Sequence, residues 1–307
     1  RVRQAAKELG YITSRQAALF ARRKTKTLAF IVPSYGSFPP FSRSYFPALL
    51  DGAVLEADEL DYSITIILDK QRHKTEDYYT LVQSKTVDGL LFAVTRADFQ
   101  PFQGLREQGV PFVLINNYHT GLNSVDAKPE PGMRKAFQHV YILEHRHFGY
   151  ITGDMQYRNA VDRLDTFKKL SEEFDIKTTI VEGDFSKKSG YLGAEKLLSI
   201  KNPPSVIFTS SDRCAFGVLQ YASSKGIRVP EELSVVGYDN LPPVQDITPP
   251  LSTVSQPVTE LARHATRLLI DILEGKRQEP IQEWLETDFI ARSSTAKYNK
   301  PRRLWLR

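Results

Sequence analysis

At 307 residues, 41% hydrophobic and 25% charged, the chain is long enough for two or three domains with sizeable cores. No apolar run nears the ~18 residues of a membrane-spanning helix, and the N-terminus lacks the apolar stretch of a secretory signal, so a membrane or secreted protein is not expected. The one cysteine, Cys214, can form no internal disulfide, which fits a reducing, cytoplasmic compartment. Charge is uneven: residues 1–27 carry +7, residues 297–307 carry +5, and the body between them −7. A polyanion would meet the basic head while the acidic body does something else, although solvated basic tails give the same count.

In chain order, Val2, Ala5, Ala6 and Leu9 recur at helical spacing, with Gly10 placed as a C-cap. Ser14 can cap a second short helix, 14–22, that contains Ala17, Ala18 and Phe20. The basic run from Arg22 to Lys26 leads into a strand, Leu28–Pro33. Strands and helices then alternate. Strands are predicted at Ile64–Leu68, Val87–Phe92 and Pro111–Ile115, with helices around Leu49–Leu60, Thr75–Ser84 and Phe102–Gln108 between them. The pattern restarts with strands at Gly149–Thr152, Lys177–Val181, Ser205–Phe208 and Leu233–Val236, and helices near 161–173, 187–200, 214–225 and 258–274. Continuous apolar strands between amphipathic helices indicate parallel sheets covered on both faces. Two such runs predict an α/β protein of two doubly wound parallel-sheet lobes, preceded by a short helical segment.

Open α/β sheets bind ligands beyond the carboxyl ends of their strands. That rule selects Ser34, Tyr35, Asn116, Asn117, Asp154, Ser211, Asp212, Asp239 and Asn240. Asp212 and Asp239 can each accept two hydroxyl groups, or serve instead as helix or turn caps. Arg163, early in a helix, presents a planar fork suited to vicinal hydroxyls or a carboxylate, or a surface ion pair with Asp162 or Asp165. The segment 33–46 holds Tyr35, Phe38, Phe41, Tyr45 and Phe46; one or two of these rings are expected against a ligand and the rest in packing. His145 and His147 lack further ligands at metal-site spacing, and Cys214 lacks an activating histidine nearby. Phosphate-loop, nucleophile-elbow and zinc-protease patterns do not occur. No enzyme activity, cofactor or metal is expected.

Ordered blocks along nearly the whole chain resemble the LacI/GalR family of transcriptional regulators. Arg1–Tyr11 is similar to the last headpiece helix, 14–22 to the hinge helix, and Thr25–Pro33 to the junction with the core. Val87-Asp-Gly-Leu-Leu, Gly109-Val-Pro-Phe-Val-Leu-Ile115, His145-Arg-His-Phe148, the Arg163 segment, Ser211–Gly217, Val229–Asp239, Pro250–Pro257 and Ala291–Ser294 complete the series. The departures are Thr166-Phe167 for Gly-Phe, Glu144 for a glycine, Ala18 for a frequent arginine, and Phe20 for the leucine that wedges into the minor groove. A complete member carries a helix-turn-helix ahead of the residues matched at Arg1, so a fragment or processed form is expected.

The resemblance implies a periplasmic-binding-protein-like fold divided as 1–26 (headpiece remnant and hinge), 27–124 with 257–286 (first lobe), 125–256 with 287–296 (second lobe) and 297–307 (basic tail). It implies a repressor whose inter-lobe cleft takes a small effector, a sugar before a purine, and couples it to operator DNA. The effector candidates are Tyr35, Phe41, Asn116, Arg163, Asp212, Asp239 and Gln256; the DNA candidates are Arg15, Ala17, Phe20, Arg22, Arg23 and Lys24. A homodimer would match a pseudo-palindromic operator. The alternatives are a periplasmic-type sugar-binding protein without a DNA role, or an enzyme on the same fold.

Overall fold

Alternate residues of Thr27–Pro33 (β1) face two different cores: Leu28, Phe30 and Val32 one of them, Ala29 and Ile31 the other. Such a strand has helices on both sides, which is why it reads as an unbroken apolar run. The computed structural model describes residues 24–33, 40–42, 44–69, 74–96, 98–278 and 280–299. The helices expected within 1–22, the DNA candidates Arg15, Ala17, Phe20, Arg22 and Arg23, the effector candidate Tyr35 and the tail 300–307 lie outside those residues.

In the first sheet β1 is joined by β2 (Ser63–Asp69), β3 (Gly89–Ala93), β4 (Phe112–Ile115), β5 (Ser124–Lys128) and β11 (Gln282–Glu286), in the order β11-β5-β4-β3-β1-β2, all parallel. Helices α1 (Tyr45–Glu59) and α8 (Val258–Leu273) pack on one face, and α2 (Thr75–Gln83) with α3 (Pro101–Glu107) on the other. The second sheet contains β6 (His147–Ile151), β7 (Lys177–Val181), β8 (Val206–Thr209), β9 (Ser234–Asp239), β10 (Ser252–Ser255) and β12 (Asp288–Ile290), in the order β12-β10-β9-β8-β6-β7. Only β12 runs antiparallel to its neighbour. Its faces are covered by α4 (Pro129–Ile142) with α5 (Arg158–Glu173), and by α6 (Lys187–Leu198) with α7 (Asp212–Ser224). Helices α6 and α7 approach closely because a Cβ at Gly190 would overlap the Cys214 carbonyl, and one at Gly217 the Lys187 carbonyl.

The chain crosses between sheets three times, after β5, after β10 and at Thr287 between β11 and β12. The Thr287 hydroxyl donates to the Lys128 carbonyl (2.8 Å) and accepts from the Gly132 amide (3.0 Å), tying two crossings together. Strand β5 continues in the first sheet to Lys128, past the changeover expected at 124/125. Polar Ser124 and Asp126 interrupt its apolar pattern, so sequence periodicity did not single it out; α4, β10, β11 and β12 were missed for the same lack of apolar contrast. At the chain's entry to β1, the Asp88 carboxylate accepts from the Thr25 amide (2.8 Å), the Thr25 hydroxyl (3.0 Å) and the Lys26 amide (2.8 Å). Among the described residues no helix is long and apolar enough to cross a membrane.

Candidate functional site

The carboxyl ends of both sheets face a cavity of about 380 Å³ between the lobes, within the usual range for small-ligand sites. Its second-lobe floor is Arg163, from the second turn of α5, and Asp239, the last residue of β9. Asp239 adopts φ +112° and Asn240 φ +59°, a left-handed turn that carries the chain sharply away from the strand end. The first lobe contributes Ser42, Ser44, Tyr45, Phe46 and Val94. Tyr157, Phe185, Phe216 and the Leu241-Pro242-Pro243 turn make much of the remaining wall apolar. At the mouth, the Ser44 hydroxyl of the first lobe donates to the Pro242 carbonyl of the second (2.8 Å).

Arg163 is 3% exposed and fully engaged. It donates to the Ser210 carbonyl and, at 3.0 Å, to Gln256 Oε1; it lies 3.4 Å from Asp239 Oδ1 and 3.8 Å above the centre of the Tyr238 ring. Gln256 in turn donates to the Tyr45 hydroxyl (3.2 Å), which also accepts from Asn116 (2.7 Å). One chain of polar contacts therefore runs from first-lobe Asn116 and Tyr45 through Gln256 to Arg163 and Asp239. Burial pushes the Asp239 carboxyl up to about 7, against the pull of Arg163, and Oδ1 has no hydrogen-bond partner among the described residues. Burial, then the nearby Asp239 charge, hold Asp212 well above the usual carboxylate range. Behind Arg163 a space of about 10 Å³, room for about one water, is bordered by Asn116, Asp126, Asn159, Asp162 and Gln256. Asp126 Oδ2 is unpartnered there, and burial pushes that carboxyl up to about 7.

The sequence profile of the periplasmic binding protein-like domain matches residues 137–295, slightly more than half of the chain. The transcriptional regulator CelR of Thermobifida fusca is 29% identical over 300 residues, covering 95% of this chain and 88% of its own length. The transcriptional repressor CytR of Escherichia coli K12 is 27% identical over 301 residues, covering 96% and 86%. A solved CelR–cellobiose complex superposes with a TM-score of 0.81 at 27% identity, covering 95% of this chain and 89% of that one. The chain belongs to the periplasmic-binding-protein-like family, as a LacI-type transcriptional regulator. Both of these relatives are transcriptional regulators, not enzymes.

Of the regulator's sequence-derived candidates, Arg163, Asp212 and Asp239 line the cavity. Asp212 does so with its carboxylate already engaged: Oδ1 accepts from the Thr253 hydroxyl and Oδ2 from the Leu241 amide (3.1 Å). Gly237 makes room for this, since a Cβ there would collide with Oδ1. The cap of α7 is Ser211, whose hydroxyl accepts from the Cys214 amide (3.2 Å). Asn116 and Gln256 stand one layer back, reaching the site through Tyr45 and Arg163. Phe41 is 38% exposed and outside the cavity lining, because the short 3₁₀ turn Pro40–Ser42 and the start of α1 present Ser42, Ser44, Tyr45 and Phe46 instead. Asn117 bonds Thr95, Asn240 bonds Ser255 and Arg292, and Asp154 bonds the Gln156 amide. Lys24 rests its ammonium on the Leu273 carbonyl (3.4 Å) at the end of α8.

His145 is buried between Ser205, Ser234 and the Ala296 carbonyl, and His147 bonds Thr179; among the described residues no His, Cys, Asp or Glu cluster could hold a metal. Cys214 is fully buried, and burial pushes its thiol up, away from the reactive thiolate. Sequence reasoning missed Tyr157, Asn159, Lys187, Arg213, Phe216 and Leu241. Phe185, four residues past β7, was within reach of the strand-end rule; the others come from helices and turns whose inward face only the fold defines.

Proposed function

We propose that this chain is the effector-binding body of a repressor that works in the cytoplasm on operator DNA, and that its inter-lobe cavity takes a sugar. The observation that carries the reading is the floor of that cavity: a buried guanidinium ion-paired at 3.4 Å with a carboxylate, below aromatic walls. Fork-and-carboxylate pairs recognise vicinal hydroxyls, and aromatic rings cover the C–H face of a pyranose. CelR's complex with cellobiose and the regulatory roles of CelR and CytR support the sugar and the regulatory reading. Because the site draws residues from both lobes, an effector selects one lobe angle. The shift passes to β1 and the segment tied to Asp88, then to the basic residues 15–24, with a coupling of about 1–3 kcal/mol.

A homodimer is part of the same proposal. Helix α1 exposes Val54 and Leu55, and edge strand β2 exposes Ile66 and Leu68, an apolar face at the side of the first lobe. Thermal melting against mono- and disaccharides, sugar phosphates and purines tests the effector site. A sugar that raises the midpoint, through about 2.7 kcal/mol at a hundredfold excess over its dissociation constant, and fails to do so in Arg163→Ala, supports it. A shift with purines alone replaces the sugar with a base, and no shift with any compound rejects the small-molecule reading.

A further inference from the structure

Besides its two tyrosines, the inter-lobe cavity is lined by five acidic or basic side chains: Arg163, Lys187 and Arg213, against Asp212 and Asp239. The two acids are matched within the protein. Asp239 faces Arg163 at 3.4 Å, and Asp212 accepts from Thr253 and the Leu241 amide. Burial also favours their neutral forms, so near neutral pH they do not supply two full negative charges. Lys187 is different. It is solvent-exposed at the first turn of α6 and makes no ion pair among the described residues. Two acids sit on its own loop, Glu182 and Asp184; neither pairs with it among the described ion pairs, and Asp184 accepts from the Ser186 amide (2.9 Å). Arg213 brings a second cationic group to the same cavity from the first turn of α7, which the Gly190 and Gly217 contacts hold against α6.

A neutral sugar on the Arg163–Asp239 floor would leave Lys187 facing water. A ligand with an anion on the rim side of its ring would use it: a lysine ammonium is a mobile point charge that suits phosphate or carboxylate at a partly solvated edge. We propose that the effector is an anionic sugar, a phosphate monoester or a carboxylic acid of a hydroxylated ring, with Lys187 as the residue that selects for the charge. This rests on the sugar reading above and narrows it: Arg163 and Asp239 recognise the ring, and Lys187 recognises the anion.

The test is titration calorimetry on matched ligands: glucose with glucose 6-phosphate and glucuronate, cellobiose with its 6′-phosphate, and inorganic phosphate alone. Each is measured on the parent protein, Lys187→Ala, Lys187→Glu and Arg163→Ala. The anionic member of a pair should bind at least about tenfold more tightly than its neutral parent, an advantage that shrinks as salt rises. Lys187→Ala should abolish that advantage and Lys187→Glu reverse it, the loss falling more heavily on the anionic member of each pair, while Arg163→Ala weakens both members alike. Equal or tighter binding of the neutral parent, or a preference that survives Lys187→Ala, overturns the inference while leaving the sugar site intact. Inorganic phosphate that binds as well as the sugar phosphate reduces the rim to a simple ion site and also overturns it. Failure of every sugar, charged or neutral, overturns the sugar reading and this inference together.

Discussion

At the scale of single residues, the polar chain from Asn116 to Asp239 shows how Tyr45, outside any recognisable motif, and Gln256 support the cavity-lining arginine. Tyr45→Phe removes one hydroxyl but strands two buried donors, Asn116 Nδ2 and Gln256 Nε2. An unmade buried hydrogen bond costs about 1–3 kcal/mol, so urea denaturation of this variant should show a loss of that order, with weaker effector binding because Gln256 loses its orientation. Asp126 gives a pH signature. Its folded carboxyl titrates at about 7 instead of 3.8, so between about pH 4 and 7 the native state binds more protons than the unfolded one. Native stability therefore falls as pH rises through that window. Asp126→Asn removes its share of the dependence, leaving that of Asp239 and Asp212: above pH 7 it should be more stable than the parent by on the order of 1 kcal/mol, with the difference closing near pH 4. An offset independent of pH would show that Asp126 does not titrate in that window.

At the scale of elements, the packing of α6 on α7 sets the positions of Lys187, Ser211, Asp212 and Arg213 together. Helix propensity alone favours alanine over glycine at Gly217 by about 1 kcal/mol. Against this, the new methyl group would overlap the Lys187 carbonyl, a backbone atom that cannot rotate away. Overpacking of that kind costs about 1–3 kcal/mol or more, so Gly217→Ala should lower stability and weaken ligand binding despite its better helix propensity. The segment entering β1 is governed differently. Asp88 holds it by hydrogen bonds to two amides and a hydroxyl. Asp88→Ala should leave global denaturation nearly unchanged while accelerating tryptic cleavage at Lys24 and Lys26, read by mass spectrometry; unchanged cleavage would mean the segment is held elsewhere.

At the scale of the whole molecule, three crossings join the lobes and the cavity lies between them, so on the proposed function ligand binding and lobe angle form one equilibrium. On the proposed dimer, Leu55→Asp with Ile66→Lys places charge on the apolar face of α1 and β2. Sedimentation should then show a shift from dimer to monomer with each lobe still folded; a parent protein that is already monomeric would dismiss that face as the interface. The operator binding proposed above should weaken steeply with salt, as expected when lysines and arginines displace counterions from phosphates.

Sequence alone determined the class of architecture. Residues such as Leu28 to Val32 and Phe148 to Ile151 must be buried on both sides, and only a covered parallel sheet does that for short apolar runs alternating with helices. The strand-end rule also found Asp239 and Asp212, because a sheet's carboxyl edge is fixed by where its strands stop. Tertiary structure decided the rest. Strand β5 has too little apolar contrast to be seen until β4 and β11 flank it. Phe41 and Tyr45 look alike in sequence, and only the geometry of the 3₁₀ turn and α1 sends one outward and the other under Arg163. Lys187 and Arg213 are ordinary surface residues in sequence; two glycines that let α6 and α7 touch bring them to one cavity, because helix approach depends on what both backbones leave empty.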